Sequence, residues 1–198
     1  MKSITQLSIN GLILSGGLST RMGEEKRLIN YHGKSQEEYL FELIKPYCSE
    51  VYISINRNQI SNLPHIFDLD LSVQSPIVGI ISAFDKKPET AWLVVACDMP
   101  FVNQGVIKYL IKNRNPEKFA TAFENSEEYF PEPLLTIYEP EIYEKLQKAV
   151  EQGMKSPRRI LQNLEIELLQ ISDKQVLINI NTLSEREKIN TFISKGCQ

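Results

Sequence analysis

The chain has 198 residues, 42% hydrophobic and 24% charged, the make-up expected of one globular domain over residues 1–198 with a substantial core. Its formal net charge of −3, from 22 basic and 25 acidic side chains, excludes the basic excess of a protein that lives on nucleic acid by counterion release. Three scattered cysteines (Cys48, Cys97, Cys197) and two histidines (His32, His65) make neither a disulfide framework nor a zinc set, and free thiols point to a reducing, cytoplasmic compartment.

Ile9 to Leu14 reads as the first buried strand. Residues Ser3 to Thr20 carry no charge, but Asn, Gln, Ser, Thr and Gly interrupt them, so neither a spanning helix nor a signal peptide is expected. Lys26 to Tyr31 reads as a short continuation, closed by a turn at His32-Gly33-Lys34. From Ser35 to Tyr47 the apolar residues fall at helical spacing, and Ser35 with Glu38 is placed as a capping box. Val51 to Ile55 is a β-branched run and a second strand, and His65-Ile66-Phe67 is a brief third, ending at Asp68. The next helix starts within Ser75 to Ile80 and is spent by Lys86-Lys87-Pro88.

Trp92 to Cys97 is the most continuous apolar run and predicts a central strand buried on both faces. A helix over Asn103 to Asn113 follows, then strands at Phe119 to Phe123 and Leu134 to Tyr138 around a loop from Glu124 to Pro133. Helices are predicted over Pro140 to Gln152 and Ser156 to Leu164, strands at Glu167 to Ile171 and Val176 to Ile180, and a last helix from Ser184 to Ser194. Strands alternating with helices give a three-layer α/β/α sandwich around a mostly parallel sheet. In such sheets ligands sit outside the carboxyl ends of the strands. Gly16, Ser54, Asp68 and Asp98 all fall at or just beyond predicted strand ends.

The stretch from Leu12 to Leu28 carries the clearest chemistry. An apolar strand breaks at Gly16-Gly17, where the main chain can turn sharply and offer N–H groups to a phosphate. Arg21 adds a planar cationic fork and Lys26 a compact point charge. Together they suit a nucleoside triphosphate. Neither the Gly-x4-Gly-Lys-Ser/Thr loop nor the Gly-x-Gly-x-x-Gly fingerprint occurs here. Asp98 ends the apolar Trp92 run, where a carboxylate is costly unless it is paired or faces a site. The rival role for Asp98 is capping the following helix, for which Asn103 is better placed.

Leu14-x-Gly16-Gly17-x-Ser19-x-Arg21-Met22-Gly23-x-x-Lys26 and Cys97-Asp98-Met99-Pro100 resemble the signature segments of the molybdenum cofactor guanylyltransferases, the MobA-like nucleotidyltransferases. In that family alanine stands where this chain has Ser15. The resemblance covers most of the chain and implies a Rossmann-like nucleotidyltransferase sheet. It implies that Lys26, Arg21 and Asp98 are catalytic and that Asp98 holds Mg²⁺. Leu14, Ser15, Gly16, Gly17, Lys26, Ser54, Asp68, Gly79 and Asp98 would line the site for GTP.

Asp68 lies eight positions before Pro76, at the family's base-recognising or ribose-side position, with Asp70 as the alternative. A carboxylate reads guanine by accepting from N1–H and the exocyclic amine together. Several positions depart from the family. Ser75 replaces a glycine, and Ser54-Ile55-Asn56 stands for Asn-x-Asn. Leu183 replaces the proline after Asn179-Ile180-Asn181-Thr182, and Glu132-Pro133-Leu134 replaces His-Pro-Leu. The asparagines of the Asn179 segment either serve the pterin side or cap the last helix. Arg158 and Arg159 are placed to meet the phosphate of a second substrate.

The implied reaction is GMP transfer from GTP to molybdopterin, with molybdenum-insertion proteins and apo-molybdoenzymes as partners and neither nucleic acid nor membrane involved. A cytidylyltransferase of the same fold is the nearest rival, although those relatives tend to carry Ala-Gly rather than Gly16-Gly17. A sugar-phosphate nucleotidyltransferase and a non-catalytic nucleotide-binding regulator are the others. A pure binder would need neither Lys26 nor Asp98.

Overall fold

The computed structural model describes residues 8–15, 25–125, 130–180 and 185. Seven strands form one sheet: β1 (Ile9–Leu14), β2 (Val51–Ile55), β3 (His65–Phe67), β4 (Ala91–Ala96), β5 (Ala120–Asn125), β6 (Phe130–Tyr138) and β7 (Glu167–Leu169). Their spatial order is β3-β2-β1-β4-β6-β5-β7. β6 runs antiparallel to β4 and β5, and the other pairings are parallel. Among the described residues, α-helices are formed by α1 (Gln36–Ile44), α2 (Ile77–Lys86), α3 (Gln104–Lys112), α4 (Tyr143–Glu151) and α5 (Pro157–Gln162). α1 packs with α3, and α2 packs with α4, which meets α5.

β1 and β4 are buried along their whole length. Their unbroken apolar sequences suit strands covered on both faces by helices. Leu14 is registered with Ser54 of β2 and with Ala96 of β4, so the ends of these three strands form one rim. The Ser35 capping box with Glu38 is present, and the Asn103 side chain accepts from the Val106 amide to cap α3. Gly33 makes the turn before α1 at φ 79°, a conformation glycine adopts without a Cβ penalty.

Three expectations change. Lys26–Leu28 is a 3₁₀ turn rather than an extended continuation, because Arg27 is drawn inward onto acidic partners. The loop between β5 and β6 is shorter than its polar sequence suggests, since the strands continue to Asn125 and start at Phe130. Val176 to Ile180 is not a strand. Asp173 accepts from the Gln175 amide and opens a 3₁₀ turn over Lys174–Leu177, a local side-chain bond that competes with a ladder. Val176, Leu177 and Ile180 are buried nonetheless. The last predicted helix lies, apart from Glu185, outside the described residues.

Candidate active site

At the rim, the Ser15 hydroxyl donates to the Ser54 carbonyl at 2.6 Å, fastening the exit of β1 to the end of β2. The Ser54 hydroxyl donates to Asp68 Oδ1, and the Asp68 amide is held by the Ile55 carbonyl at 2.8 Å. α2 supports the segment from behind, since Ser82 Oγ accepts from the Leu69 amide at 2.9 Å and donates to the Val78 carbonyl at 2.7 Å. Burial pushes the Asp68 carboxyl above its usual range, with the Ser54 hydroxyl opposing the shift. Asp70, the alternative from sequence, is exposed. Gly79 sits where α2 meets the rim. A Cβ there would collide with the Ser54 side chain and come within 2.7 Å of Leu14 Cδ2.

Asp98 comes two residues after Ala96, the partner of Leu14 on β4, and Lys26 Nζ lies 3.3 Å from its Oδ2, with side-chain exposures of 22% and 18%. The neighbouring Arg27 positions the lysine. Arg27 is 3% exposed and donates to Glu25 at 2.6 Å, Glu37 at 2.8 Å and the Ile60 carbonyl at 3.0 Å. Anchoring one side of the 3₁₀ turn in this way leaves Lys26 turned toward β4.

Asp98 follows β4, and the Cys97 amide bonds the Leu14 carbonyl at 3.0 Å, which joins the two halves of the rim. The segment after Asp98 is held by α1 and by the turn that precedes it. Gln36 Nε2 donates to the Met99 carbonyl at 3.3 Å, Tyr39 to the Val102 carbonyl at 3.0 Å, and His32 Nε2 to the Pro100 carbonyl at 2.9 Å. On the far side the Ile180 amide donates to the Asp98 carbonyl at 2.8 Å. Asp98 Oδ1 and Asn179 Oδ1 are both shut off from solvent without a hydrogen-bond donor. Burial raises the Asp98 carboxyl above its usual range, and Lys26 only partly offsets this.

Sequence reading missed three features here. Arg27 was given no role from sequence. Its clue was Glu37, ten residues on and inside the predicted helix. His32 had no assigned partner, and the structure gives it the Pro100 carbonyl and the face of Tyr39, with ring centroids 3.8 Å apart. Glu132 was noted only as a departure from the family pattern, yet it is 1% exposed, accepts from the Leu134 amide at 3.1 Å, and burial pushes its carboxyl above the usual range. Gly16, Gly17 and Arg21 lie outside the described residues. Arg158 and Arg159 are exposed in the first turn of α5.

A strand-end rim with one paired and one unpaired carboxylate oxygen beside a lysine can neutralise and orient a polyphosphate. Residues 11–169, which include Lys26, Ser54, Asp68, Gly79, Asp98 and Glu132, match the model of the MobA-like NTP transferase domain. The chain belongs to this family of nucleotidyltransferases. A molybdenum cofactor biosynthesis bifunctional protein of Synechocystis is 34% identical over 192 residues, covering 94% of this chain and 55% of that one. This chain therefore spans little more than half of that relative. A molybdenum cofactor guanylyltransferase of Shewanella is 26% identical over 198 residues, covering 96% of this chain and 99% of that one. Among solved structures, molybdopterin-guanine dinucleotide biosynthesis protein A of Archaeoglobus fulgidus is similar at a TM-score of 0.78 and 25% identity, over 94% of this chain and 99% of that one. Among the described residues no helix is long and apolar enough to cross a membrane.

Proposed function

We propose that this family member transfers GMP from GTP to the terminal phosphate of molybdopterin in the cytoplasm, with Mg²⁺, releasing pyrophosphate and forming the guanine dinucleotide cofactor. The observation that carries the reading is the Lys26–Asp98 pair set on the same strand-end rim as the Ser54–Asp68 pair. Relatives named guanylyltransferase over nearly their full length support it.

Asp68 accepts from guanine N1–H and its amino group, and the Ser54 hydroxyl fixes the carboxylate for that contact. Ser15 and Gly79 keep the rim narrow, so the main chain can approach the nucleotide closely. Gly16, Gly17 and Arg21 complete the triphosphate cradle by the family pattern. Asp98 holds Mg²⁺: its Oδ1 has no donor, and a hard cation takes one or two such carboxylates and leaves its other positions to phosphate and water. Mg²⁺ bound there supplies charge neutralisation on the phosphate oxygens.

An oxygen of the acceptor phosphate forms a bond to the α-phosphorus as the bond from that phosphorus to the α–β bridging oxygen breaks. The electron pair leaves with pyrophosphate. The acceptor phosphate is already anionic at neutral pH, so no strong general base is required. Lys26 faces the oxygens on which charge accumulates and lowers the barrier by preorganisation. Arg158 and Arg159 meet the acceptor phosphate, and Asn179 borders the pterin side. Molybdenum-insertion proteins and apo-molybdoenzymes are the protein partners that follow from this product.

The test is pyrophosphate release with GTP, CTP and UTP, each with and without molybdopterin. Release specific to GTP and dependent on the pterin is expected. A CTP preference would replace guanine with cytosine, and nucleotide binding without turnover on any acceptor would make the protein a binder.

A further inference from the structure

We infer that Gln59 is a positioning residue for the transfer reaction, tying the turn that carries Lys26 to the end of β2 that carries Ser54 and holds Asp68. This rests on the transferase reading above and adds to it the part that fixes the lysine relative to the nucleobase.

The turn over Lys26–Leu28 is short. The Leu28 amide donates to the Glu25 carbonyl at 2.9 Å and the Ile29 amide to the Lys26 carbonyl at 3.3 Å. Hydrogen-bond geometry in a 3₁₀ turn is poorer than in an α-helix, so side chains decide where Lys26 sits. On the inner side Arg27 is fixed by Glu37 at 2.8 Å. On the outer side Glu25 Oε2 accepts from Arg27 Nε at 2.6 Å and from Gln59 Nε2 at 2.8 Å. Arg27 also donates to the carbonyl of Ile60, the neighbour of Gln59, at 3.0 Å. The loop 56–60 therefore grips the turn at both neighbours of Lys26.

Gln59 is itself fixed to the end of β2. Its Oε1 accepts from the Asn56 amide at 2.9 Å, and its own amide donates to the Asn56 carbonyl at 3.1 Å. A carboxamide has one acceptor oxygen and one donor nitrogen, so with the oxygen taken by Asn56 it is the NH₂ that meets Glu25. Asn56 directly follows Ile55, whose carbonyl holds the Asp68 amide at 2.8 Å, and lies two residues beyond Ser54, whose hydroxyl holds the Asp68 carboxylate. Hydrogen bonds thus run from the Asp68 segment through the end of β2, Gln59 and Glu25 to the turn of Lys26. Arg27 first, and Gln59 after it, hold the Glu25 carboxyl below its usual range against the effect of burial, so this anchor stays anionic. A lysine on a flexible four-carbon stem gains from a fixed root, since a displacement of ~1 Å at a reacting centre can cost ~10²-fold in rate. Gln59 is half-buried and neutral, and Arg27 keeps Glu25 paired without it, so its role lies in placement rather than in stability.

The test compares wild type with Gln59→Leu, with Gln59→Glu, and with the exchange that combines Glu25→Gln and Gln59→Glu. It reads the single-turnover rate with GTP and molybdopterin, the GTP dissociation constant and the denaturant midpoint. Gln59→Leu should slow turnover at least ~10-fold, while the dissociation constant and the midpoint stay near wild type. Gln59→Glu should be slowed too, because it sets two carboxylates against each other. The exchange should regain most of the rate, since amide and carboxylate trade places and the bonds to Arg27 and Asn56 survive. An unchanged rate in Gln59→Leu, a loss matched in GTP binding or unfolding, or an exchange no faster than Gln59→Glu alone overturns the assignment and leaves the transferase reading standing. A wild type that turns over no nucleotide overturns both.

Discussion

Lys26 Nζ lies 3.3 Å from Asp98 Oδ2 across 72 residues of sequence. Asp98 is mostly buried and Lys26 offsets only part of the cost of its charge; under the proposed function the lysine would turn to phosphate and the carboxylate to the cation. Lys26→Met should lower kcat by ~10²-fold or more, the usual consequence of losing one aimed donor at a developing anion. The GTP dissociation constant should change less. Single-turnover kinetics beside equilibrium binding separates the two, and a loss confined to binding would contradict the role.

Asp68→Ala should erode the preference for GTP over CTP more than it lowers the maximal rate. A pH dependence follows from the same residue. Burial raises the Asp68 carboxyl, and the ionised form is the one that accepts from guanine. The preference for GTP is therefore complete above the raised value and fades as pH falls through it, earlier than for an exposed aspartate. Competition between GTP and CTP across acidic pH measures this directly. A preference that stays flat until an ordinary aspartate titrates would contradict it.

Arg27→Met should destabilise the fold by about 3–5 kcal/mol, because Glu37, itself 8% exposed, would lose its cation in the interior. Arg27→Lys keeps the charge but cannot reach Glu25, Glu37 and the Ile60 carbonyl together, so it should recover only part of the loss. Denaturant unfolding gives both values. A near-neutral Arg27→Met would mean that the turn carrying Lys26 is fixed by something else.

Gly79→Ala introduces a methyl against Ser54 and Leu14. Overpacking of this kind costs about 1–3 kcal/mol, and here it pushes on the hydroxyl that holds Asp68. Lower thermal stability together with a raised KM for GTP is expected. Gly105→Ala is the control for the Ser54 contact, since the neighbour its Cβ would meet is the Asn103 side chain at 3.1 Å and neither Ser54 nor Leu14.

Much of this architecture was legible from residues alone. The buried runs of β1 and β4 have no polar alternation, and Ser35, Glu38 and Asn103 announce their helix starts, so elements and class followed from period and caps. Ser54, Asp68 and Asp98 were legible because strand ends are where such sheets bind ligands. The Lys26 turn and the Val176 segment were misread because each is decided by side-chain bonds, of Arg27 with Glu37 and of Asp173 with Gln175, that leave no trace in hydrophobic spacing. Glu132 was opaque for a related reason. An acidic side chain between two prolines reads as solvent-exposed until β6 is known to be an inner strand of the sheet.

The most direct measurement is a crystal structure of the protein with GTP and Mg²⁺. Guanine is expected against the Asp68 carboxylate, with the α-phosphate between Lys26 and the Asp98-bound cation. A nucleotide whose base lies away from Asp68, or whose phosphates avoid the Lys26–Asp98 end of the rim, would contradict the single-site account.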